Sequence, residues 1–101
     1  MDGKTFTLTK PIERGNGETL SEVTLRGVTT EDYVRLGSIW SFTAEGGGQA
    51  VENRRVAVQY IIRLGGLTEK EVFKLELCDF KAMSSWITSC LAFTPGSGSG
   101  T

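Results

Sequence analysis

The chain of 101 residues contains no histidine, only two cysteines and only two prolines. Without histidine it lacks the commonest general base near neutral pH and the commonest metal ligand. Two cysteines are too few for a disulfide framework. Cys78 and Cys90 lie twelve residues apart in a helical, apolar pattern. That spacing puts about 18 Å of helix rise between them, so they cannot bridge. They are expected to be buried, reduced thiols of a cytosolic protein, and no other thiol or imidazole exists to complete a zinc site. Long apolar runs are also missing. The densest stretch, Val56 to Leu64, is interrupted by Gln59 and Arg63, and falls short of the roughly 20 residues a membrane span needs. The opening residues, MDGKTFTLTK, show neither the basic nor the apolar part of a secretory leader. Charge of one sign is absent too: eleven Lys and Arg face twelve Asp and Glu, for a net charge of -1. Such a balance leaves no strong electrostatic footprint for nucleic acid or anionic lipid.

What remains is ordinary globular material, 39% hydrophobic and 23% charged, of a length that builds one core. One domain over residues 1–93 is expected, followed by a disordered glycine-serine tail over 94–101. Residues 4–10, KTFTLTK, place Phe6 and Leu8 on one face and threonines on the other. Val23 and Leu25 repeat that alternation in LSEVTLR. Period two with Thr and Phe predicts half-buried strands. Asn16-Gly17 between them is a turn signal, because both residues tolerate positive φ. An antiparallel hairpin follows, with Pro11 at a strand end or a solvent-facing edge.

Beyond Gly27 the period becomes helical. Thr29 caps a helix with Glu31 and Asp32 in its first turn. Tyr33, Leu36, Ile39 and Trp40 fall at helical spacing, and Ala44 to Gly48, AEGGG, is a flexible break. A second helix is predicted over Gln49 to Leu64, with Arg54, Arg55, Gln59 and Arg63 on its wet face; Gly65-Gly66 ends it. Thr68 and Glu71 make a capping box, with Leu67 and Val72 placed as a hydrophobic staple. The short helix they start reaches about Leu75. Phe80, Met83, Trp86, Ile87, Cys90 and Leu91 form the stripe of a last amphipathic helix. The expected fold class is therefore α+β, an N-terminal antiparallel β-hairpin followed by about four α-helices.

Motifs that carry chemistry are weak. Gly46-Gly47-Gly48 lacks the lysine-serine or lysine-threonine pair of a phosphate-binding loop and reads as a linker. Arg54, Arg55 and Arg63 read better as a solvated helix face than as a nucleic-acid patch. Glu76 and Asp79 read as cap and dipole residues. Ser84, Ser85 and Ser89 have no base to activate them. No catalytic residue, metal site, cofactor or small-molecule substrate is expected. For the aromatics Trp40, Phe42, Phe73, Phe80 and Trp86, of which Phe73, Phe80, Trp86 and Trp40 are the candidate partner contacts, two readings stand. They fill the core of a small domain, or some of them line a groove for a partner helix, where aromatics carry much of the binding energy.

One arrangement is more specific. Leu8-Thr9-Lys10-Pro11-Ile12-Glu13-Arg14-Gly15 followed by Val23-Thr24-Leu25-Arg26 resembles the "L-x-x-P-I-x-R-G" and "V-T-L-R" strands of phage tail assembly chaperones, the E-like and Mu-like tail assembly proteins of contractile-tailed phages and prophages. Leu67-Thr68-Glu69 with Val72, then Leu75, Asp79 and Phe80, is similar to the helical C-terminal part of that family. The resemblance implies that Lys10, Pro11, Ile12, Arg14, Gly15, Val23, Leu25 and Arg26 are structural motif residues. It also implies an assembly factor of the host cytoplasm, not expected in the mature virion. Its partner would be the long tape measure protein, kept soluble until tube subunits polymerise around it. Self-association is compatible with that reading; nucleic acid and membrane are not expected as partners. The alternatives are a small structural tail protein of the tube or baseplate, and a small regulatory or nucleic-acid-binding adaptor.

Overall fold

The computed structural model describes residues 3–43 and 49–91. Strands β1 (Lys4–Glu13) and β2 (Thr19–Leu25) form the antiparallel hairpin, with Lys4 opposite Leu25, Phe6 opposite Val23 and Ile12 opposite Leu20. The register shifts between Thr7 and Ile12. Such a bulge bends its strand and leaves residues out of the ladder. Pro11 lies in this interval and is exposed, so its missing N–H interrupts no regular pairing. At the turn, the Arg14 amide donates to the Glu18 carbonyl at 2.8 Å, and Gly17 takes φ 88°. The Asn16 side-chain oxygen accepts from the Glu18 amide at 3.0 Å.

Helix α1 (Thr30–Leu36) is capped by Thr29, whose hydroxyl accepts from the Asp32 amide while the Asp32 carboxylate accepts from the Thr29 amide. It is shorter than the apolar spacing predicted. Gly37, at φ 81°, donates to the Tyr33 carbonyl and ends it. Ile39 is then buried outside the helix, and Trp40 opens a strand. That strand, β3 (Trp40–Thr43), pairs antiparallel with β4 (Gln49–Glu52), Trp40 opposite Glu52 and Phe42 opposite Ala50. This second hairpin corrects the expectation of a helix beginning at Gln49. Short apolar segments fit either period, and here the pairing partner decides. The glycine-rich break at 44–48 and the tail at 94–101 lie outside the described residues.

Helix α2 (Arg54–Gly65) starts at Asn53, which accepts from the Val56 amide at 3.2 Å, and stops at Gly66 in the left-handed conformation, φ 67°. Gly65 lets β2 approach closely: a Cβ there would sit 3.0 Å from a Leu25 methyl and 3.2 Å from one of Val23. The capping box of α3 (Glu69–Phe73) forms as predicted, with Leu67 and Val72 both buried. Helix α4 (Leu77–Leu91) completes the chain's α+β fold.

Among the described residues the core joins the first hairpin to α2, α3 and α4. Leu8, Ile12, Val23 and Leu25 of the first hairpin pack with Tyr60 and Ile61 of α2 and with Met83 and Ile87 of α4. Each large apolar side chain so buried contributes about 1.5–3 kcal/mol. Tyr60 is fully buried, and its hydroxyl donates to the Gly37 carbonyl at 2.5 Å. The core therefore also satisfies the end of α1.

Two expectations about polar residues are corrected. Cys78 is exposed and only Cys90 is partly covered, because Cys78 lies on the first turn of α4 away from the apolar stripe. Asp79 is buried instead of a surface dipole residue, since it faces the bulge of β1.

Candidate functional site

Both arginines of the N-terminal motif grip the acid that closes a helix capping box. Arg26, just past β2, donates from Nη1 and Nη2 to the two Asp32 oxygens at 2.8 and 2.9 Å. Arg63 of α2 donates to the same carboxylate from Nε at 2.5 Å. Asp32 is fully buried. Its carboxyl is held well below the usual range, first by the Arg26 bonds and then by Arg63, against the opposing cost of burial. Arg14, after β1, donates from Nε and Nη2 to Glu71 at 2.7 and 3.2 Å. Those bonds, with the Thr68 amide, lower the Glu71 carboxyl. Lys74 adds a bond to the Glu13 carbonyl at 3.0 Å. The motif thus locks the hairpin onto α1 and α3 through geometry that only a guanidinium fork provides. Arg63, predicted on a solvated face, belongs to this network.

Ile12, Val23 and Leu25 of the motif are core residues. Lys10 and Pro11 are exposed on the bulge, and Gly15 lies in the turn, where an added Cβ would meet open space. These roles are structural.

Apolar surface is concentrated elsewhere. Phe73, the last residue of α3, is 69% exposed, and Leu77, the first of α4, is 64% exposed. With Val58 of α2 and Phe80 of α4 they border a trough of about 270 Å³. Arg54, Val58 and Phe73 also border an adjoining hollow of about 420 Å³, which Arg55, Gln59 and Glu69 complete. The two share Arg54, Val58 and Phe73 and lie against the first half of α2. Phe80 is partly buried within the trough. Trp40 is 41% exposed but sits in a different depression with Lys81, Ser84, Ser85 and Thr88. Trp86 packs edge-on against Phe6, ring centres 6.2 Å apart, at the margin of the core. The four candidate aromatics therefore divide: Phe73 and Phe80 meet, while Trp40 and Trp86 stand apart. Leu77 was not singled out from the sequence, and Arg54 was read only as part of a solvated helix face. Leu77 follows Phe73 by four and precedes Phe80 by three, a spacing that the break between α3 and α4 hides.

Among the described residues no group of three His, Cys, Asp or Glu is placed to hold a metal ion, and no helix is long and apolar enough to cross a membrane. A strongly linked frame carrying an exposed apolar corner suits association with another chain.

The family model for phage tail assembly chaperone proteins, described as "E, or 41 or 14", matches residues 5–91. The chain belongs to the phage tail assembly chaperone family. The match spans both hairpins and all four helices. Neither the curated proteins nor the solved structures contain a match. In this chaperone the motif that carried the resemblance is a frame of buried side chains and arginine clamps, and the apolar surface lies outside it.

Proposed function

We propose that the chain binds the tape measure protein of an assembling phage tail and keeps its apolar helices from aggregating until tube subunits enclose it. One observation carries this reading: Phe73 and Leu77 are both largely exposed at the border of one trough, on a frame in which arginines hold the buried acids Asp32 and Glu71. Leaving two large apolar side chains in water forgoes about 1.5–3 kcal/mol each, a cost that a binding partner recovers. Family membership supplies the assembly context. The site of action is the host cytoplasm, and the chain leaves before the virion is mature.

Co-expression with the tape measure protein tests the proposal. The tape measure protein should be soluble and retained on the tagged chaperone, and insoluble when expressed alone. Equal solubility with and without the chaperone, and no retention, would overturn it. Recovery of the chain as a stoichiometric part of purified particles would instead assign it to the tail itself.

A further inference from the structure

Resting on that reading, we propose that the groove between α2 and the α3–α4 corner receives an amphipathic client helix whose apolar stripe is flanked by carboxylates. Its floor is apolar, with Val58, Phe73, Leu77 and Phe80 along it. Its α2 end carries two guanidinium groups, Arg54 and Arg55, against the single carboxylate of Glu69. Both arginines occupy the first turn of α2, which holds no acidic residue. No ion pair to either is formed among the described residues. The groove thus offers an apolar seat with an excess of positive charge at one end. Helices dock in such seats through residues at positions i, i+3, i+4 and i+7, and arginine at the rim adds orientation through fork-shaped bonds to carboxylates.

A second copy of the chain matches this chemistry less well. Outside the groove itself, the exposed apolar helix face it offers among the described residues is on α1, with Tyr33 and Val34. The nearest acid on that face is Glu31, already paired with Arg35 at 2.8 Å and near Arg63 at 3.7 Å. The other α1 acid, Asp32, is buried. The occupant that fits is therefore a client helix with its own free carboxylates.

Three double variants of the full chain test the assignment against the tape measure protein. They are Phe73→Ser with Leu77→Ser, Arg54→Glu with Arg55→Glu, and, outside the groove, Tyr33→Ser with Val34→Ser. Affinity should fall roughly tenfold or more for each groove variant and stay at the wild-type level for the α1 variant. Wild-type binding should weaken with added salt, and the charge-reversed variant should lose that dependence. Circular dichroism and thermal melting of each variant, matching wild type, exclude misfolding as the cause. If either correctly folded groove variant binds as wild type does, the assignment is overturned while the chaperone reading stands. A wild-type chain that fails to hold the tape measure protein overturns both. Self-association of the wild-type chain that Phe73→Ser with Leu77→Ser abolishes would give the groove to a second copy and also overturn the assignment.

Discussion

Thr9 gives both its amide and its hydroxyl to the carboxylate of Asp79, at 2.9 and 3.0 Å, across a sequence separation of 70. The register shift of β1 makes this contact. Thr9 lies in the interval where β1 leaves the ladder, so its amide turns to the first turn of α4 for an acceptor. A strand irregularity and a helix start thereby satisfy each other.

Asp79→Ala should leave the Thr9 amide without that acceptor. The expected loss is about 1–3 kcal/mol of unfolding free energy, read as a lower midpoint in urea denaturation with an unchanged slope. An unaltered midpoint would show that water replaces the carboxylate without cost.

Asp32→Ala should be more damaging, since it removes one capping-box acid and the shared partner of Arg26 and Arg63. Both arginines are partly exposed, with side-chain accessibilities of 47% and 35%. They regain water when released, so the cost is roughly 2–3 kcal/mol instead of the larger value for a fully buried pair. Differential scanning calorimetry measures it. A melting temperature within experimental error of wild type would refute the role given to this network.

Acid should destabilise the fold through the same two carboxylates. Asp32 and Glu71 both have folded pKa values below their unfolded values. The unfolded chain therefore takes up protons first. The stability these groups contribute is fully present at neutral pH and is lost as pH falls below roughly 4, the range of an unperturbed carboxyl. Unfolding free energy measured from pH 7 to pH 2 should decline along this limb. In the Asp32→Ala variant the decline should be shallower. Parallel curves for variant and wild type would contradict the assignment.

The two aromatics Phe73 and Trp86 should behave oppositely under truncation. Phe73→Ala, at a largely exposed position, should shift stability by no more than about 0.5 kcal/mol. Trp86→Ala removes a partly buried ring packed edge-on against Phe6 and should cost about 2 kcal/mol or more. Thermal melts of the two variants separate them, and similar losses would show that Phe73 is part of the core.

Much of this fold was legible in the sequence because its signals are local. Asn16-Gly17 marks the first turn, and Thr68 with Glu71 marks the start of α3; each acts within three residues of itself. The alternation of Phe6, Leu8, Val23 and Leu25 identifies the hairpin before any partner is known. The second hairpin was not legible. Trp40 and Val51 fit a helical count as well as a strand, and only the pairing of β3 with β4 resolves the ambiguity. For the candidate site, Phe73 and Phe80 were recognisable as apolar residues on helices. Their separation from Trp40 and Trp86 was not, because helix spacing says nothing of which neighbour covers a side chain.

The amino-acid sequence alone determined the absence of histidine chemistry, the N-terminal hairpin, the capping box of α3 and the motif that points to the family. Tertiary structure decided which acids the motif arginines hold, that Asp79 is buried and Cys78 is not, and that Phe73 and Leu77 face water together. The physical reason is range. Caps, turns and periodicity are set by residues a few positions apart, whereas burial and ion pairing depend on contacts such as Arg14 with Glu71, 57 residues away, which exist only once the chain has folded.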